Sequence, residues 1–168
     1  GLTRSTILQG VWALLLSRYS GEDDVLFGAV TSGRPPDLPG IESAVGLFIN
    51  TLPVRTRVDA SMPIATWLRL LQEKAVDLRR FEYSPLAKVQ TWSSVPAGEP
   101  LFDSLFVFEN YPVDESLIAA DMPLAITDFR GWETTNYPLN FIVSTGEESE
   151  VLLRFNYDAA RFDELTID

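Results

Sequence analysis

The run VLFGAV, Val25 to Val30, is apolar at every position and ends in the irregular stretch Thr31-Ser32-Gly33-Arg34-Pro35-Pro36. An unbroken apolar run of this length is the pattern of a strand buried on both faces. The chain therefore needs a sheet with this strand in its interior, and helices to cover it. Ile7, Leu8, Val11, Trp12, Leu15 and Tyr19 recur at helical spacing until Gly21 stops them. Pro63 opens a second, longer helix with Ile64, Trp67, Leu68, Leu71, Ala75 and Leu78 on its apolar face. Ser84-Pro85 starts a short third one, with serine as N-cap, proline at the first helical position, and Leu86 and Val89 on the buried side.

The remaining pattern supplies strands. Leu52, Val54, Thr56 and Val58 alternate with Pro53, Arg55, Arg57 and Asp59, a half-exposed strand in which Pro53 suits the first residues or an edge. Leu105 to Phe108 reads as a buried strand, residues 113–123 as a loop and Leu124 to Phe129 as a further strand. Leu139, Phe141 and Val143 face Val151, Leu153, Phe155 and Tyr157 across the turn Thr145 to Glu148, which makes a hairpin. Asp163 caps a helix start that has run one turn at Asp168, the pattern of a fragment boundary. These elements predict an α/β fold, a two-layer α/β sandwich with helices on a mixed, mostly antiparallel sheet. At 168 residues the chain is one domain or one large piece of a bigger one.

Composition narrows the chemistry. With no histidine and no cysteine, the chain alone cannot build a serine triad, a thiolate nucleophile, a disulfide or an ordinary zinc site. A net charge of -11 opposes nucleic acid and anionic lipid, and no apolar run is long enough to span a membrane, so the sequence points to no nucleic acid, no membrane and a cytoplasmic setting. Ser32 has no base to activate it, and the 24 acidic residues are too many for any pair to be informative. No phosphate loop, nucleophile elbow or metal motif occurs.

Five ordered segments carry a resemblance: FGAVTSGRP from Phe27, VGLFINTLPVR from Val45, SPLAKVQ from Ser84, PLFDSLFVFENYP from Pro100, and NYPLNF with LRFNYD toward the end. Together they cover nearly the whole chain and resemble the C-terminal subdomain of a condensation domain of non-ribosomal peptide synthetases. The resemblance implies half of a chloramphenicol acetyltransferase-like fold, in which two subdomains enclose a tunnel. The family's catalytic His-His-x-x-x-Asp-Gly motif belongs to the N-terminal subdomain and has no counterpart in this chain. Carried over position by position, Gly46, Phe48, Asn50 and Thr51 match Gly-x-Phe-x-Asn-Thr near the tunnel, and Ser32, Gly33 and Arg34 match the loop after the buried strand. Asn136 and Tyr137 stand at a segment that usually reads Phe-Asp-Leu. Tyr83 replaces a frequent histidine, and Ser94 to Glu99 replace an Arg-Asp-x-Ser-Arg-Asn lead-in, which bears on subtype.

The implied activity is amide-bond formation between carrier-bound thioesters, with this half as one tunnel wall, inactive alone. No cofactor would be covalently bound; the phosphopantetheine arm of the carrier proteins brings the substrates. The implied partners are the N-terminal condensation subdomain, donor and acceptor peptidyl carrier proteins and an adjacent adenylation domain. Epimerisation, cyclisation and starter domains share the scaffold, and a non-catalytic docking module is the alternative from another class. Beside the ligand reading stands a plainer one: Asn50 caps a turn, Arg34 is structural, and Glu22 to Asp24 and Glu147 to Glu150 are solvated loops. The segment between Tyr111 and Asn136 is the expected bridge to the partner subdomain, and an excised half would expose an apolar surface.

Overall fold

The computed structural model describes residues 1–35, 38–109, 135–145 and 150–167. In order these form α1 (Arg4–Ser20), β1 (Asp24–Thr31), a 3-10 turn (Ile41–Ser43), β2 (Asn50–Arg57), α2 (Ile64–Arg79), α3 (Leu86–Trp92), β3 (Ser104–Glu109), β4 (Leu139–Thr145), β5 (Val151–Tyr157) and a short α4 (Glu164–Ile167). The five strands make one sheet in the order β2-β1-β3-β4-β5. The outer pairs, β1 with β2 and β4 with β5, are antiparallel, while β1 with β3 and β3 with β4 are parallel. The sheet is thus mixed, with its antiparallel pairing confined to the two flanks. The strand expected at Leu124 to Phe129, the preceding loop and the proposed bridge lie outside the described residues.

Strand alternation sorts the side chains onto two faces. Val25 and Phe27 of β1, Val54 of β2, Phe106 of β3, and Phe141 and Val143 of β4 share the face covered by α1 and α2, against Trp12, Ala13, Trp67 and Leu71. Phe141 is the hub: its ring lies 5.1 Å from Trp12, 5.0 Å from Phe155 and 5.8 Å from Phe106. Burying side chains of this size stabilises the fold by about 1.5–3 kcal/mol each. On the other face of β1, Gly28 leaves room for Phe102; a Cβ there would stand 2.4 Å from its ring. The run VLFGAV is therefore interior to the sheet, as its composition requires.

Helix α1 is where the pattern misleads. Ile7, Val11, Leu15 and Tyr19 are exposed, and the buried positions are Thr6, Gly10, Trp12, Ala13 and Ser17. The reason is close approach to α2: a Cβ on Gly10 would lie 2.3 Å from the Leu68 Cδ2. Thr6 Oγ1 donates to Gln72 Oε1 at 3.2 Å across the same seam. Small residues therefore meet α2, and Ile7, Val11, Leu15 and Tyr19 turn outward while Trp12 packs on the sheet. The helix ends follow the expected chemistry, with Thr3 Oγ1 accepting from the Thr6 N–H and Gly21 in the left-handed region at φ 75°. At α3 the cap shifts by one residue. Pro85 flanks the helix, its carbonyl accepting from the Lys88 N–H at 2.9 Å, and Ser84 provides no side-chain cap. Asp163 does cap α4, its Oδ1 accepting from the Thr166 N–H at 2.8 Å. No helix among the described residues is long and apolar enough to cross a membrane.

Candidate functional site

Thr31 ends β1 and Asn50 begins β2, and the two are registered partners across the antiparallel pair. Everything between them is the loop that carries most of the candidate residues. Its first turn depends on Gly33, whose φ of 62° is a left-handed conformation and whose Cβ, if present, would stand 1.7 Å from the Phe48 carbonyl oxygen. The Arg34 guanidinium lies over the Phe48 ring, 4.5 Å from its centroid, and donates to the Ile41 carbonyl. Gly46 faces the same ring, close enough that a Cβ there would stand 3.0 Å from the Phe48 edge. Phe48 is thus held from both ends of the loop. Ser32 is exposed, and its Oγ accepts from the Arg34 N–H at 3.4 Å.

A third segment, the turn between α2 and α3, closes on this pair of strand ends. Asn50 Nδ2 donates to the Glu82 and Ser84 carbonyls, both at 2.8 Å. Two carbonyl partners demand a donor, which fixes the orientation of the amide. Its Oδ1 accepts from no described group. Thr31 Oγ1 donates to Glu82 Oε2 at 2.6 Å. Glu82 and Ser84 are both buried. Thr51, the next residue along β2, alternates to the opposite face of the sheet and is half-buried.

The structure therefore brings together Ser32, Arg34, Gly46, Phe48 and Asn50, leaves the Thr51 side chain on the other face of the sheet, and adds Thr31, Glu82 and Ser84. Sequence reasoning missed those three. Thr31 merely ends an apolar strand, Glu82 is one acidic residue among 24, and no spacing links positions 31 and 82. Asn136 and Tyr137 are placed elsewhere. They precede β4, whose Leu139 pairs with Ser104, while Leu105 pairs with Gly28; this sets them level with the earlier part of β1. Tyr137 stacks on Phe102 at 5.4 Å and lines a small cavity of about 90 Å³ with Leu86 and Gln90, and burial pushes its phenol up. Asn136 is exposed.

Chemically, the loop and turn can position and hydrogen-bond but hold no imidazole or thiol to move a proton near neutral pH. The buried Glu82 carboxylate takes a hydroxyl from Thr31, and the half-buried Glu109 carboxylate one from Ser144. Among the described residues no group of three or more acidic side chains could hold a metal ion.

Helices on a mixed five-stranded sheet, with most of the candidate residues gathered at one strand end, set the frame for the comparison with known proteins. The chain belongs to the condensation-domain family, whose family model, described as Condensation domain, matches residues 1–168, and it is the C-terminal portion of such a domain. It is 50% identical over 161 residues to one of the proteins that make up the linear gramicidin synthase of Brevibacillus parabrevis, covering 96% of the chain and 2% of that protein. To chondramide synthase cmdD of Chondromyces crocatus it is 46% identical over 166 residues, covering 99% of the chain and 4% of the synthase. The chain thus spans only a few per cent of the length of these relatives. Its fold is similar to the starter condensation domain of rhizomide synthetase RzmA in complex with C8-CoA, with a TM-score of 0.72 at 18% identity over 97% of this chain and 37% of that one. It is also similar to the complex of the X-domain and OxyB from teicoplanin biosynthesis, with a TM-score of 0.75 at 21% identity over 99% and 37%. The family is that of amide-bond formation in non-ribosomal peptide synthetases, including those for antibiotics.

Proposed function

We propose that this chain is one wall of the reaction tunnel of a condensation domain joining two carrier-bound acyl groups. The observation that carries the reading is the packing of Gly33 and Arg34 against Phe48. It makes one surface of two segments that the sequence separates, both of which match the family pattern. In the reaction, the acceptor amine attacks the donor thioester; a C–N bond forms, the C–S bond breaks, and the donor arm leaves as thiol. The amine proton ends on the departing sulfur, and any group that relays it lies outside this chain, in the N-terminal subdomain. Ser32 and the Asn50 Oδ1 are the groups available to hydrogen-bond the phosphopantetheine amides. Donor and acceptor peptidyl carrier proteins are then the partners, with an adenylation domain adjacent, in a cytoplasmic enzyme.

The wall would act by geometry. Holding two tethered reactants in near-attack position supplies up to about 7–11 kcal/mol of barrier reduction in favourable intramolecular cases. The test is reconstitution: the chain is mixed with a separately produced N-terminal subdomain carrying the histidine motif, and dipeptidyl transfer between two loaded carrier proteins is measured. Transfer is expected with both halves present and with neither alone. Stable association of the halves without transfer, beside an active intact control, would replace the tunnel-wall reading with a docking role.

A further inference from the structure

Glu82 has a carboxylate in a buried position, 7% exposed, on a turn between two helices. It receives one hydrogen bond from each of the two residues that face one another at the strand ends. Thr31 Oγ1 donates to its carboxylate at 2.6 Å, and Asn50 Nδ2 donates to its main-chain carbonyl at 2.8 Å. A threonine hydroxyl has a single hydrogen, and the carboxylate, which only accepts, claims it. That leaves the lone pairs of Thr31 Oγ1 for the Gly33 N–H, which approaches it at 3.5 Å. Glu82 thereby sets the direction of the hydroxyl, and the hydroxyl sets the point at which the chain leaves β1 for the Ser32 to Arg34 loop.

Resting on the tunnel-wall reading, we infer that Glu82 is a positioning residue of the condensation site, acting through Thr31 on the course of the Ser32–Arg34 loop. It touches neither substrate nor reacting atoms. Because near-attack geometry is sensitive to displacements of about 1 Å, releasing the loop lowers the rate of the chemical step more than it weakens carrier binding.

The test uses the intact condensation domain containing this chain, with loaded donor and acceptor carriers. It measures the single-turnover rate of amide formation, KM for the acceptor carrier and the thermal midpoint. Thr31→Val, which keeps the shape and removes the hydroxyl, is expected to lower the rate about tenfold or more while KM changes by less than about twofold. Thr31→Ser, which keeps the hydroxyl, is expected to restore most of the rate. Glu82→Ala is expected to match Thr31→Val, and the double variant to be no slower than either single one. A wild-type rate in Thr31→Val would overturn the inference, as would additive losses in the double variant or a rate that falls only with the folded fraction. If the unmodified domain forms no amide at all, the functional reading itself fails, an outcome distinct from an active domain indifferent to Thr31.

Discussion

Replacing Asn50 by alanine removes both donors that tie the start of β2 to the α2–α3 turn. Each neutral hydrogen bond contributes about 1 kcal/mol net, and a carbonyl left without a partner in a buried turn adds its own desolvation cost. The sum for Asn50→Ala is about 2–3 kcal/mol, a fall in thermal midpoint of about 4–12 °C for a chain of this size. Asn50→Asp keeps the shape but turns an acceptor toward two carbonyl oxygens, so at pH 7 it is expected to be about 1 kcal/mol worse than alanine. The introduced carboxyl is favoured in its protonated form, which raises its folded pKa above the unfolded value of about 3.9. Its contribution is therefore fully present below the unfolded pKa and lost as pH rises through the folded one. The gap between the two variants should close between pH 7 and about pH 4. Urea unfolding followed by the fluorescence of the core residues Trp12 and Trp67 reads this directly. An unchanged midpoint for Asn50→Ala, or a stability order at pH 7 with aspartate above alanine, would refute the turn-holding account and leave Asn50 purely as a ligand contact.

Two further outcomes follow from the geometry. Gly33→Ala places a side chain in a left-handed conformation and into the Phe48 carbonyl; about 1–3 kcal/mol of strain results, and limited proteolysis should cut between Arg34 and Phe48 faster than in the wild type, an unchanged cleavage rate being the refuting result. The Arg55 guanidinium beside Asp24 holds the Asp24 carboxyl below the usual aspartate range. That contribution is present above the unfolded pKa and lost as pH falls through the lower folded one. In an NMR titration, Arg55→Gln should raise the Asp24 pKa toward the ordinary range, and added salt should shrink the difference between the two proteins. An Asp24 that titrates identically in both proteins would refute the pairing.

What could be read from the sequence divides along physical lines. Period two is a strong signal, and the hairpin register follows it: Phe141 sits opposite Phe155 and Val143 opposite Leu153, as their alternation requires. The glycine that stops α1 was equally legible, because a left-handed cap asks for that residue type. The buried side of α1 was legible only at Leu8 and Trp12, since α1 meets α2 through Thr6 and Gly10, where no large side chain marks the face. At the candidate site, the motifs drew attention to the loop residues, and the packing of Gly33 and Arg34 on Phe48 is a contact between two of those motifs. The turn that holds the loop was not legible, because Thr31, Asn50 and Glu82 meet only after β1, β2 and α2 have folded, and no local pattern encodes such a meeting. Tyr137 stacks with Phe102 away from this group for the same reason: its neighbours are set by the parallel pairing of β3 and β4.

The sheet is joined unevenly, and this orders the steps by which the chain folds. β1 is registered with β2 from Asp24 to Thr31, but with β3 only through Gly28 and Ala29 against Leu105 and Phe106. The seam between β1 and β3 is parallel and closes a long loop, so it forms late. The helix that spans it is α1, through Trp12 stacked on Phe141. During synthesis at about 5–20 residues per second, Trp12 waits roughly 6–26 seconds for Phe141 to be made. Through that interval the Trp12 indole lacks both rings it packs on, Phe141 and Phe155, so this portion of a nascent chain exposes apolar surface while α1 awaits β4 and β5.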